Sequence, residues 1–513
     1  MLAHVLSGAV LGIDAYLVNV ETDVASGLPS FQVVGLPQGA VKEGRERVVA
    51  ALQNSGYQVP PKRITVNLAP ADVRKEGSAF DLPVAIGILA GTGQMDGEAR
   101  LGRFAVFGEL GLDGALRPIR GALPIALAVR DAGLAGLVVP QENIAEAAVV
   151  EGVDVRGADR LADVVTFLQA DGELPTLRLD LEALFRQASE YDVDFADVKG
   201  QEHVKRAFEV AAAGAHNILL IGPPGSGKTM LARRLPTILP PLTLDEALET
   251  TKIHSVAGLL GAGRALVATR PFRSPHHTIS DAGLIGGGGT PRPGEVSLAH
   301  HGVLFMDELP EFRRNVLEVL RQPLEDGEVT ISRAAISLTY PARFMLAAAM
   351  NPCPCGHYGD PQRPCTCPPV AVRKYLARVS GPLLDRIDLH VEVPAVRYRD
   401  LSDTRLGEPS AAVRARVCRA RERQRARFAG RAGIYANAHM RPRDLREFCQ
   451  VGEASDALLK TAITRLGLSA RAYHRVLKIA RTIADLDGAD EIGTAHVAEA
   501  IQYRSLDRLK GTE

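Results

Sequence analysis

Residues 217–231 read NILLIGPPGSGKTML, and this stretch constrains the chain more than any other. An apolar run precedes GxxxxGKT and a helix-compatible run follows it, the strand–loop–helix context that a phosphate-binding loop requires. Gly222, Gly225 and Gly227 let backbone N–H groups curl around phosphates with no Cβ in the way; Pro223, Pro224 and Ser226 complete the loop. Lys228 supplies a point charge to β- and γ-phosphates, and the Thr229 hydroxyl can ligate Mg²⁺. Such a string arises by chance in roughly one chain in a hundred of this length. A parallel α/β sheet that binds ATP with Mg²⁺ is the expectation.

The second half of such a site is legible in GVLFMDELPEF (302–312), where four apolar residues read as a buried strand ending in Asp307 and Glu308. Asp307 would hold Mg²⁺ through water and Glu308 would polarise the attacking water. A third strand, RFMLAAAMN, ends in Asn351, either a γ-phosphate sensor or a cap on the next turn. GPLLDRIDLHVEV puts Arg386 just before the last strand of the sheet. There it either reaches the γ-phosphate of a neighbouring subunit, a role worth roughly 10³–10⁵ in rate, or pairs locally with Asp385 or Asp388.

Taken together, these residues resemble the AAA+ ATPases, and more narrowly their magnesium-chelatase-like branch, the YifB/ComM family. PFRSPHHTIS, NPCPCG, LLDRIDLH and LSARAYHRVLKIARTIADL also fit that pattern, so the resemblance covers nearly the whole chain. It implies that Arg471 is a lid-domain sensor contacting nucleotide and that the working form is a hexameric ring. It further implies a DNA motor that drives branch migration in homologous recombination and supports natural transformation, with recombination proteins as further partners. The alternative is the motor subunit of a metal chelatase, inserting Mg²⁺ or Co²⁺ into a tetrapyrrole.

The first part of the chain alternates β-branched runs (RITVNLAP, FAVFGELG, GLVVP) with small-residue helices, the pattern of a compact α/β domain. VRKEGSAFDLPVAIGIL and the segment after GELG resemble the proteolytic domain of Lon-type proteases. Ser78 stands at the matching serine, but no lysine occurs between Ser78 and Ala196, and Leu123 stands near the expected lysine. Arginine stays protonated and cannot replace it as a base, so no peptidase activity is expected. The expected organisation is a Lon-protease-like α/β domain (1–170), a linker (171–195), an AAA+ parallel-sheet P-loop ATPase core (196–396) and a helical lid (397–513).

Two polar insertions interrupt the ATPase region. Residues 273–302 are rich in glycine and histidine, and 327–344 alternate like a hairpin with Arg333 near its tip. In the ring ATPases that the chain resembles, insertions at these points face the central pore, where arginine, histidine and glycine would suit a single-stranded or branched DNA backbone; the alternative is a plain surface hairpin and loop. From Arg414 to Arg427 there are seven arginines and one acid, which could track phosphates, form a subunit interface or be a solvated helix face.

NPCPCGHYGDPQRPCTCPP holds four of the six cysteines, as two CxC pairs nine residues apart. Cys353, Cys355, Cys365 and Cys367 suit a structural Zn²⁺, redox-active thiols or unligated cysteines. The one-residue spacing is tighter than the usual zinc knuckle, and four thiolates leave no open position for catalysis. With 60 basic and 60 acidic residues the net charge points to no partner. No stretch reads as a membrane span or secretory signal, so a cytoplasmic location is expected.

Overall fold

In the computed structural model the chain forms two compact units, residues 1–184 with 244–267, and residues 185–243 with 268–513. All residues are described except 38, 74, 76, 97, 189–190, 262, 289–290, 334–335, 361–362, 397–404, 432, 467–468 and 505–513. The expected start of the lid at 397 and the tip of the hairpin at 334–335 lie outside the described residues. No described helix is long and apolar enough to cross a membrane.

The first unit is built on a seven-stranded sheet. Its strands are β1 (Leu2–Leu11), β2 (Asp14–Ala25), β3 (Ser30–Val34), β4 (Arg63–Ala69), β5 (Phe104–Val106), β6 (Gly136–Pro140) and β7 (Asp154–Ala158), in the order β3-β4-β2-β1-β5-β6-β7. β1 and β2 form a hairpin from Leu2↔Asp23 to Leu11↔Asp14, whereas β1, β5, β6 and β7 run parallel. Helix Asp81–Gly91 is buried along almost its whole length, matching its run of small and apolar residues. Helix Ala122–Asp131 packs Leu123, Ile125, Ala126 and Val129 into the core.

Residues 244–267, expected within the ATPase core, fold with the first unit. Helix Leu244–Ala257 buries Ala247, Thr250, Thr251, Ile253 and Ser255. Ser255 Oγ accepts from the Gly121 N–H at 3.0 Å and bonds to the Glu146 carboxylate, which also accepts from the Leu123 N–H at 2.8 Å. A buried carboxylate costs less when it accepts hydrogen bonds, and Oε1 takes these two while Oε2 accepts from Asn143 Nδ2 at 3.4 Å. Burial still raises the Glu146 pKa.

The second unit carries a five-stranded parallel sheet made of β8 (Ile218–Ile221), β9 (Phe272–Arg273), β10 (Val303–Met306), β13 (Met345–Met350) and β14 (Leu389–Glu392), with an antiparallel hairpin β11 (Glu328–Arg333) and β12 (Ile336–Pro341) between. The order is β9-β10-β13-β8-β14. β8, β10 and β13 are buried at every residue, as continuous apolar runs in a sheet covered on both faces must be. After β14 the chain is helical. Helix Ser410–Arg427, helix Ala470–Leu486 and helix Thr494–Gln502 share one apolar core with the sheet.

Candidate active site at the carboxyl ends of the parallel strands

Register brings the motif residues together. Ile221 pairs with Met350 and Met306 with Ala348, so the chain leaves β8, β10 and β13 side by side at one sheet edge. Open α/β sheets bind ligands at that edge. Here lie Gly222, Asp307 and Asn351, around a cavity of about 410 Å³ lined by Pro224 to Met230, Asp307, Glu308, Met350 and Asn351.

The loop glycines act for different reasons. Gly225 (φ +76°) and Gly227 (φ +88°) occupy left-handed backbone, which lets N–H groups point inward at the head of helix Lys228–Ile238. Gly222 instead lets β14 pass, since a Cβ there would come within 2.1 Å of the Val393 carbonyl oxygen. Gln201 Nε2 pins the loop by donating to the carbonyls of Ser226 and Pro394, both at 2.9 Å.

Lys228 is buried and donates to the carbonyls of Gly222 (2.8 Å) and Pro223 (2.9 Å) and to Asn351 Oδ1 (3.2 Å). Burial lowers its pKa, opposed by Asp307 and Glu308. Thr229 donates to Asp307 Oδ2 at 2.6 Å, which places the two expected Mg²⁺ ligands in contact. Glu308 sits in left-handed backbone (φ +53°) with its side chain more than half exposed to the cavity mouth. Its neighbour is a residue not singled out from the sequence: His277 Nδ1 lies 3.5 Å from Glu308 Oε2, with the ring centroid 4.1 Å from that of His276 at a tilt of 34°. Part of the 273–302 insertion therefore belongs to this site. The signal available in the sequence was the HH pair itself.

The donor set fits a magnesium nucleotide: the Asp307 carboxylate and Thr229 hydroxyl for a hard cation, with a lysine and inward backbone N–H groups for phosphate. Mg²⁺, when bound, would neutralise charge on the β- and γ-phosphates. Lys228 would exchange its carbonyl partners for phosphate oxygens, Asn351 would hold the γ-phosphate side, and Glu308 would orient water.

Two expected arginines lie elsewhere. Arg386 precedes β14, whose Leu389 pairs with Ile218, so it stands at the opposite end of the sheet, about 13 Å of strand from the phosphate loop. It is buried, donates to the Pro382 carbonyl at 2.6 Å and pairs with Glu325, not with Asp385 or Asp388. Arg471 is exposed in the first turn of helix Ala470–Leu486, behind its Ser469 cap. One turn on, Arg475 pairs with buried Asp388 and ties that helix to the start of β14. Arg475 was not recognised from the sequence, although it lies in the same LSARAYHR string.

Arg333 is exposed at the end of β11. Of the arginines between 414 and 427, Arg416 pairs with Glu209 and Glu408, Arg423 with Asp490 and Arg427 with Asp485, while Arg421 donates to the Ala212 carbonyl. Much of that positive charge is thus spent inside the unit. In the first unit, Ser78 Oγ donates to Glu109 and Leu123 is fully buried.

The four thiols converge. Cys353 Sγ lies 3.4 Å from Cys355 Sγ and 3.6 Å from Cys365 Sγ, Cys355 and Cys365 are 3.6 Å apart, and all four sulfurs lie within 4.8 Å of one another. A tetrahedral zinc with bonds of about 2.3 Å separates its sulfurs by about 3.8 Å, so the set fits that ion. The Cys355 and Cys367 N–H groups point at Cys367 and Cys365 sulfurs, both at 3.4 Å. The backbone N–H of His357, with that of Thr366, holds the Cys355 thiol down at about 5. All six cysteines are free thiols.

A parallel sheet with a phosphate loop, a paired-acid strand end and a polar strand end defines a P-loop ATPase of the AAA+ class. Comparison with known proteins agrees. The profile described as "Magnesium chelatase, subunit ChlI" matches residues 194–401, "Subunit ChlI of Mg-chelatase" matches 20–143, and "Magnesium chelatase, subunit ChlI C-terminal" matches 407–504. The chain is 47% identical over 511 residues to "Competence protein ComM" of Haemophilus influenzae, covering 99% of this chain and 98% of that protein. It is 46% identical over 510 residues to YifB of Escherichia coli, with the same coverage. It is also 34% identical over 157 residues to Lon protease 2 of Bacillus subtilis, covering 28% of this chain and 27% of that protein. The chain belongs to the magnesium-chelatase-like YifB/ComM family of AAA+ proteins. Membership implies ATP and Mg²⁺ as cofactors and suggests ATPase activity.

Proposed function

We propose that the protein is an ATP-hydrolysing DNA motor that works as a ring of six copies, drives branch migration in homologous recombination and supports natural transformation. The observation that carries this reading is the separation of Arg386 from the phosphate loop of its own chain. An arginine at that end of the sheet serves a neighbour's γ-phosphate, and head-to-tail contacts of this kind close into rings. To do so it must exchange Glu325 for phosphate. Arg471 then approaches nucleotide as the lid closes. The exposed Arg333 on the β11–β12 hairpin supports contact with a DNA backbone, read by charge and not by sequence. The name of the 47%-identical competence protein supports the biological setting.

Within this reading, Cys353, Cys355, Cys365 and Cys367 hold a structural Zn²⁺, and cysteines without disulfides suit the cytoplasm. The Lon-like unit has no peptidase activity, because buried Leu123 stands where the amine of a Ser–Lys dyad would be needed. Recombination proteins are the natural further partners.

The test is ATP hydrolysis and fork migration by the purified protein with branched, single-stranded and duplex DNA. Branched or single-stranded DNA should stimulate hydrolysis, and Lys228→Ala should abolish it. Arg386→Ala should retain nucleotide binding while losing roughly 10³-fold or more in turnover. The family profile also supports a second reading, the motor subunit of a metal chelatase. An assembled ring whose ATPase ignores every form of DNA would favour that reading and sink the first.

A further inference from the structure

The cysteine loop is fastened to the nucleotide site at two points. It springs from Asn351, at the end of β13, and continues into helix Pro369–Leu376, whose buried Tyr375 lies beside the Asn351 backbone. Between the cysteine pairs, Gly356 is buried with φ +85°, and a Cβ there would lie 2.5 Å from Pro224 Cδ and 2.9 Å from Cγ. Pro224 belongs to the phosphate loop and lines its cavity. A turn of the cysteine loop therefore rests directly on the loop that cradles phosphate.

Short-range bonds lie at that turn: the Gly356 N–H donates to the Cys353 carbonyl at 3.0 Å, and His357 Nδ1 lies 3.2 Å from Asp360 Oδ2. No helix or strand is formed among the described residues between Met350 and Pro369, and five prolines from Pro352 to Pro368 remove backbone donors. In such a segment the free energy of metal binding becomes the free energy of local folding. β13 does not depend on it, being paired with β8 and β10 along its length.

We propose that zinc bound by the four cysteines sets the position of Pro224 through Gly356, so that metal loading governs how tightly the phosphate loop binds nucleotide. This rests on the reading of the thiols as a zinc site but not on DNA as the substrate. Stripping the metal loosens the turn, withdraws support from the phosphate loop and leaves the sheet intact.

The experiment uses the full chain purified without chelator, with zinc measured by mass spectrometry and binding of a fluorescent ATP analogue measured by titration without DNA. One zinc per chain is expected. Its removal under reducing conditions should weaken analogue binding about tenfold, with restoration on adding zinc and no change in far-ultraviolet circular dichroism. Gly356→Ala, which keeps all four thiols, should retain one zinc and still bind the analogue about tenfold more weakly. If stripping unfolds the chain, that variant decides. Zinc well below one per chain overturns both the metal reading and the coupling. One zinc with unchanged affinity in Gly356→Ala overturns the coupling and leaves the metal site standing.

Discussion

Asp388 is a carboxylate 2% exposed, and burial alone would hold it protonated. Against that, the Arg475 guanidinium and His216 beside it keep its pKa well below the usual carboxylate range. His216 is fully buried, with Nδ1 3.5 Å from Asp388 Oδ2 and Nε2 2.8 Å from Thr482 Oγ1. Burial lowers its pKa, aided by Lys478 and Arg421 and opposed by Asp388. Below about pH 6.5 an unfolded chain takes up a proton that the native imidazole refuses, so this residue's contribution is present above that pH and is lost as pH falls. The second unit's melting temperature should therefore drop between pH 7.5 and 5.5, with a slope of up to about 1.4 kcal/mol per pH unit from this histidine. His216→Gln should flatten that dependence; an unaltered slope would remove His216 from it. None of this was legible in the sequence, because AGAHN carries no sign of Asp388, 172 positions away.

At the scale of elements, the site strands were the most legible part. Buried parallel strands are continuous apolar runs, and ILLI, VLFM and MLAAAM could hardly be anything else between their flanking motifs. Helix Leu244–Ala257 was less so. Its apolar face says that it packs but not on which unit, and it is the Ser255–Glu146 bond that answers. The arginine-rich helix was legible as a helix only, since its acidic partners, Glu209, Asp485 and Asp490, come from distant segments. With four of those seven arginines paired inside the unit, the proposed DNA contact falls to exposed Arg333 on its hairpin. Arg333→Ala should weaken binding of single-stranded DNA and lower the slope of log affinity against log salt by about 0.7, while hydrolysis without DNA stays unchanged. An unchanged salt slope would place the hairpin off the DNA path.

At the scale of the whole molecule, the site is divided. One end of the parallel sheet holds the phosphate loop, the expected metal ligands and Asn351; the other holds Arg386, paired with Glu325. The sequence shows both parts but not their separation, which follows from strand order and from the parallel direction of β8 and β14. On the proposed reading such a site is completed only between copies, which would tie hydrolysis to assembly. Mixing two inactive proteins, Lys228→Ala and Arg386→Ala, tests this directly. In a randomly mixed ring about a quarter of interfaces pair an intact phosphate loop with an intact arginine, and DNA-stimulated hydrolysis should reappear at that order of magnitude. If the mixture stays as inactive as its components, Arg386 does not act on a neighbour's nucleotide, and the shared site is contradicted.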